Sequence, residues 1–142
     1  MRRLRSQRGA ALIETAITIP MVLLVAVGIF EFGRAYQTWQ VLTNAAREGA
    51  RVSIIASSTE ADVTTAVRNY MTAGQINGAA TATVIVERTV AFGPTSTASK
   101  ITVNYPFAFS VLGPVARLVQ SSSTVGSGPL TMTAAVTMRN EG

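Results

Sequence analysis

The chain has 142 residues, enough for one compact domain, and contains no cysteine and no histidine. Disulfide frameworks, thiolate or imidazole metal sites and any catalytic pair built on Cys or His are thereby excluded. The net charge of +5 points to nucleic acid only until the charges are located: Arg2, Arg3, Arg5 and Arg8 precede Gly9, and the remaining eight basic residues face seven acidic ones. With no basic patch to neutralise a row of phosphates, no nucleic-acid partner is expected.

From Ala10 to Phe30 the sole charged side chain is Glu14. A helix over that stretch rises about 30 Å, the thickness of a hydrocarbon core. Arginines clustered before it predict a cytoplasmic N-terminus and a C-terminal part on the far side. A cleaved secretory signal fits poorly, because its apolar region is shorter and Gly33-Arg34-Ala35 is a weak cleavage sequence. Residues 1–9 read as a basic cytoplasmic leader and 10–57 as a long helix, spanning the membrane at about 10–30. Pro20 lacks an N–H and crowds the Ala16 carbonyl, so a kink is expected there. Beyond Phe30, Phe32, Tyr36, Trp39, Thr43, Ala46, Ala50 and Ile54 form one stripe at steps of three or four. Glu31 with Arg34 and Glu48 with Arg51 read as solvated i,i+3 pairs on the opposite side. The small residues Ala45, Ala46, Gly49 and Ala50 are expected to pack closely against the rest of the chain.

Residues 58–142 read as a small α+β head outside the cytoplasm. Ser58 and Thr59 are cap-type residues, Glu60 and Asp62 follow in the first turn, and Gly74 closes a helix predicted over Glu60 to Ala73. Val63, Val67, Tyr70 and Met71 are its expected core residues. Three segments rich in β-branched residues, Thr81 to Val90, Lys100 to Tyr105 and Leu130 to Met138, predict a three-stranded antiparallel sheet with one face on the helix. Between the last two strands lies an apolar insert with Phe107, Phe109, Val111, Leu112, Val115, Leu118 and Val119. It is read either as a cover for the open end of the sheet or as a contact with another subunit or the membrane surface.

Glu14 needs an explanation, since a carboxylate at the centre of a bilayer helix costs about 2.5–3.5 kcal/mol, less near its end. Gly9, then AALI, then Glu14 and the apolar run resemble the processing motif of type IV pilin-like proteins. The longer stretch RGAALIETAITIPMVLLVAVGIFEFGRAYQTWQVLTNAAREGAR is similar to the TadE-like pseudopilins of the tight-adherence pilus, with weaker likeness at YPF (Tyr105 to Phe107) and the terminal TMRNE. Members of this system often place an aromatic residue after the motif glutamate, where this chain has Thr15. The resemblance implies a pilin-like fold and a cut between Gly9 and Ala10 by a prepilin peptidase. It also implies partners among other pilin or pseudopilin subunits and an inner-membrane pilus assembly platform. The new α-amine at Ala10, with an ordinary pKa near 7.7–8.0, would then give Glu14 a cation in its own or a neighbouring subunit and set subunit register. A helix-start glutamate held by the helix dipole, worth about 0.3–1 kcal/mol, is the plainer alternative. The seven carboxylates are scattered and no glycine-rich phosphate loop follows a strand, so no catalytic residue, cofactor or metal is expected. The leading function is that of a pseudopilin or minor pilin supporting pilus assembly. The alternative is an unprocessed single-pass scaffold of a secretion or pilus machine.

Overall fold

A computed structural model describes residues 3–94, 96–114 and 128–140, with side chains from residue 9 onward. Helix α1 runs from Arg3 to Ser53 without a break at Pro20. It begins inside the basic leader and ends at Ser53, short of the expected residue 57. A run of branched residues there, Val52, Ile54 and Ile55, disfavours continuation. The chain turns instead through Ile55 N–H to Val52 O, 3.1 Å, and Ser58 N–H to Ile55 O, 3.0 Å.

Helix α2 spans Glu60–Ala73, the range its caps predict. Thr59 and Asp62 form a reciprocal capping box: Thr59 N–H donates to Asp62 Oδ2 at 2.8 Å and Asp62 N–H to Thr59 Oγ1 at 3.2 Å. Those Thr59 donors hold the Asp62 carboxyl below its ordinary 3.8. A 3-10 turn, Ala79–Thr81, takes up the first residue expected in a strand.

Three strands follow, β1 (Thr83–Ala91), β2 (Thr97–Phe107) and β3 (Leu130–Arg139), paired antiparallel in the order β1-β2-β3. The fold is therefore α+β, with a long apolar helix, a short helix and a three-stranded sheet. Gly93, at φ +78°, supplies the left-handed residue that the β1–β2 turn needs. The register sets Val84 opposite Val103, Val86 opposite Ile101, Ile101 opposite Val136 and Val103 opposite Ala134. One face of the sheet thus carries the apolar set onto Leu42, Ala45, Ala46 and Ala50 of α1 and Val63, Val67 and Met71 of α2.

Small residues on α1 set how closely the head approaches. Ala45, Ala46 and Ala50 are fully buried. A methyl group at Gly49 would sit 2.6 Å from Val67 Cγ2 and 3.4 Å from Ile101 Cγ2.

The sequence-derived stripe divides. Ala46 and Ala50 are buried, whereas Phe32, Tyr36 and Trp39 stand exposed, because the head covers the neighbouring side of α1 at their level, through Glu31, Thr38 and Leu42. Tyr70 is also exposed, while Val63, Val67 and Met71 form the buried face of α2.

Gly49→Leu is expected to overpack this junction and cost about 1–3 kcal/mol, visible as a lower midpoint in thermal circular dichroism of the full chain in detergent. Gly33→Ala, where an added methyl meets nothing within 4 Å, should leave the midpoint unchanged or raised, since alanine favours the helix by about 1 kcal/mol.

Candidate functional site

The N-terminal half of α1 stands free of the head. Every residue from Ala10 to Ala26 is exposed, including Ile17, Val22, Leu23 and Leu24. Gly9 and Ala10 lie within the helix, and Glu14 is one turn further on. Because helical residues rise about 1.5 Å each, a terminal amine at Ala10 would lie about 6 Å along the axis from Glu14. Glu14 itself is exposed, and among the described residues it makes no salt bridge. Its neighbours Thr15 and Thr18 turn their hydroxyls inward, donating to Ala11 O and Glu14 O at 2.8 Å each, so the polar groups of this stretch are hydrogen-bonded within the helix and only the carboxylate remains outward.

The second acidic residue of the apolar half behaves oppositely. Glu31 has 0% of its surface exposed; the expected solvated pair is instead the centre of a contact between α1 and the chain leaving β2. Glu31 Oε2 accepts from Arg34 Nη2 at 2.8 Å, and Glu31 Oε1 accepts from Val111 N–H at 2.6 Å. Arg34 Nη2 also donates to Ala108 O, and its guanidinium lies 4.5 Å from the centre of the Phe107 ring. Phe107 meets Phe109 edge-on at 5.3 Å, and Phe109 meets Phe32 at 6.4 Å. The pair is buried because residues 107–111 fold back across the helix at this level.

The burial of the Glu31 carboxylate is offset by the Arg34 guanidinium at one oxygen and the Val111 N–H at the other. The early part of the apolar insert is thereby placed against α1 rather than over the open sheet end. Its later residues Val115, Leu118 and Val119 lie outside the described residues.

Two further side chains, unmarked by any sequence motif, join the elements. Arg88, at the irregularity in β1, donates to Ser53 O at 3.1 Å and Ser58 Oγ at 3.2 Å, capping the end of α1 from the sheet. Asn140 donates through Nδ2 to Arg88 O at 2.9 Å, accepts from Ser99 Oγ at 2.8 Å, and sends its N–H to Thr97 O at 3.0 Å. Asn140 thus ties the start of β2 to β1.

Arg34→Leu would leave the Glu31 carboxylate buried without its cation. It is expected to destabilise the head by about 2 kcal/mol or more, and Arg34→Lys by less, in urea unfolding followed by circular dichroism. Glu31→Gln, which keeps the side-chain shape and removes the charge that Arg34 neutralises, should also lower the urea midpoint.

No curated protein and no solved structure matches the chain. The family model described as TadE-like protein matches residues 9–51, the segment that carries Gly9, Glu14, the Glu31–Arg34 pair and the small residues beneath the head. The apolar stretch of α1 is long enough to cross a membrane and is uncovered by the head. Over residues 9–51, about a third of the chain, the protein is thus similar to the TadE-like family, and the same segment contains the helix long and apolar enough to cross a membrane.

Proposed function

We propose that the chain is a pseudopilin or minor pilin that supports assembly of the tight-adherence pilus after a prepilin peptidase cuts between Gly9 and Ala10. The observation that carries this reading is the isolation of Glu14 among the described residues: an outward carboxylate on a bare apolar helix, one turn from the bond to be cut. Cleavage would create a cation at Ala10, and a neighbouring subunit's amine could meet the same carboxylate. Apolar surroundings strongly disfavour a subunit that leaves either charge unpaired, so the pairing selects one register. Other pilin subunits and an inner-membrane assembly platform are the partners of this role, with the head held outside the cytoplasm.

The unprocessed scaffold reading draws on a different observation. Residues 9 and 10 are in continuous helix from Arg3 onward, and a helix encloses the backbone that a peptidase must reach. Processing therefore requires the first two turns to unwind at Gly9, which glycine favours. The intact mass of the chain recovered from membranes with an active prepilin peptidase separates the two readings. Loss of residues 1–9 supports the pilin role, and a chain still beginning at Met1 supports the scaffold.

Gly9→Leu should retain the leader, because a side chain beside the scissile bond obstructs the peptidase. Glu14→Leu removes the charge that is costly in a bilayer, so membrane abundance should be unchanged or improved. Co-purification with pilus components should fall, since a partner amine then loses its counter-charge at a cost of several kcal/mol. Normal piliation with the Leu variant would return Glu14 to a helix-dipole role.

A further inference from the structure

Between Thr15 and Ala46 the sequence contains two charged residues, Glu31 and Arg34, and the fold ties them to each other and to the backbone at residues 108 and 111. The exposed face of α1 beside that pair is aromatic: Phe32 is 68% exposed, Tyr36 62% and Trp39 46%. Tyr36 and Trp39 lie with ring centres 6.3 Å apart, and the Tyr36 hydroxyl accepts from Gln40 Nε2 at 2.7 Å. Phe109, in contact with Phe32, and the exposed Val111 carry this apolar surface from the helix onto the head. The face is continuous with the uncovered stretch that is long enough to span a membrane.

Length then decides depth. From Thr15 to Trp39 a helix rises about 36 Å, more than the roughly 30 Å hydrocarbon core and within the roughly 40–45 Å that includes both headgroup layers. With Glu14 at one boundary, Tyr36 and Trp39 fall at the other. These are the two side chains whose ring is apolar and whose edge donates a hydrogen bond, the chemistry that suits a headgroup layer.

We propose that Tyr36 and Trp39 lie in the lipid headgroup layer on the head's side of the membrane and that Phe32, Phe109 and Val111 continue their surface into the adjoining acyl region, so that the head is seated on the bilayer instead of projecting from it on a free helix. The Glu31–Arg34 pair permits this seating by removing the charges at that depth from the lipid-facing side. The surface belongs to the membrane-anchored chain whether or not its leader is removed, so a failure of processing leaves the proposal intact.

Trp39 is the sole tryptophan, and it reports directly. The full chain is reconstituted in vesicles of phosphatidylethanolamine and phosphatidylglycerol that carry lipids brominated at shallow or deep acyl positions. The expected result is blue-shifted emission, quenched more by shallow than by deep bromines, poorly quenched by aqueous iodide, and unchanged when excess lipid dilutes the protein. Val111→Asp should reduce shallow-bromine quenching by lifting the residue 107–111 loop from the surface. Strong iodide quenching with no bromine effect would place Trp39 in water and overturn the proposal. Strongest quenching by deep bromines would overturn it by placing the ring in the core. Blue-shifted emission that bromines do not quench, and that reverts on dilution with lipid, would show a second copy of the chain covering the face, and would equally overturn it.

Discussion

A glutamate buried at the end of a membrane-length apolar stretch is a costly thing to place, and the arrangement around Glu31 depends on each of its partners. Arg34 supplies the cation from the same helix, three residues on, while Val111 N–H comes from a segment eighty residues later in the chain. A buried pair of this kind adds little net stability compared with apolar residues of the same volume, yet loss of one partner is expensive. Its effect is therefore positional. With Phe107 under the guanidinium and Ala108 O accepting from it, the end of β2 is tied to one place on α1.

The rest of the head follows from that tie and from a second contact about four turns further along the helix. There α1 has no bulk to offer: Ala45, Ala46, Gly49 and Ala50 let Val63 and Val67 of α2 and Ile101 of β2 approach the helix closely. Close contact across small side chains recovers dispersion energy from many atom pairs. Arg88 and Asn140 complete the junction by meeting backbone groups that the end of α1 and the edge of the sheet would otherwise leave without partners. One helix thus holds two environments, a bare apolar half and a half built into a domain, and the ion pair marks the boundary between them.

The same residue type has opposite surroundings on either side of that boundary. Glu14 is outward and without a salt bridge among the described residues; Glu31 is enclosed and hydrogen-bonded through both carboxylate oxygens. Sequence spacing treats them differently from what is found: Glu31 with Arg34 reads as an ordinary solvated i,i+3 pair, because nothing local indicates that a distant loop will cover it. The same blindness set Phe32, Tyr36 and Trp39 on one stripe with Ala46 and Ala50, although only the latter two are buried. Helical spacing identifies a common face, but which face the head covers depends on where residues 107–111 return.

Local rules determined much of this protein. The length of the apolar run, the caps at Thr59 and Gly74, the three β-branched segments and the small residues of α1 each act over a few neighbouring positions. The two helices and the three-stranded antiparallel sheet follow from them. Strand ends were less well marked, with β2 extending from Thr97 to Phe107 beyond the expected Lys100 to Tyr105, since pairing with β1 and β3 sustains residues whose own preferences are weak. Tertiary structure alone decided the burial of Glu31, the capping of α1 by Arg88, the closure by Asn140 and the exposure of the aromatic face. Each rests on contacts between residues 30 to 80 positions apart, and such contacts exist only once the chain has folded back on itself.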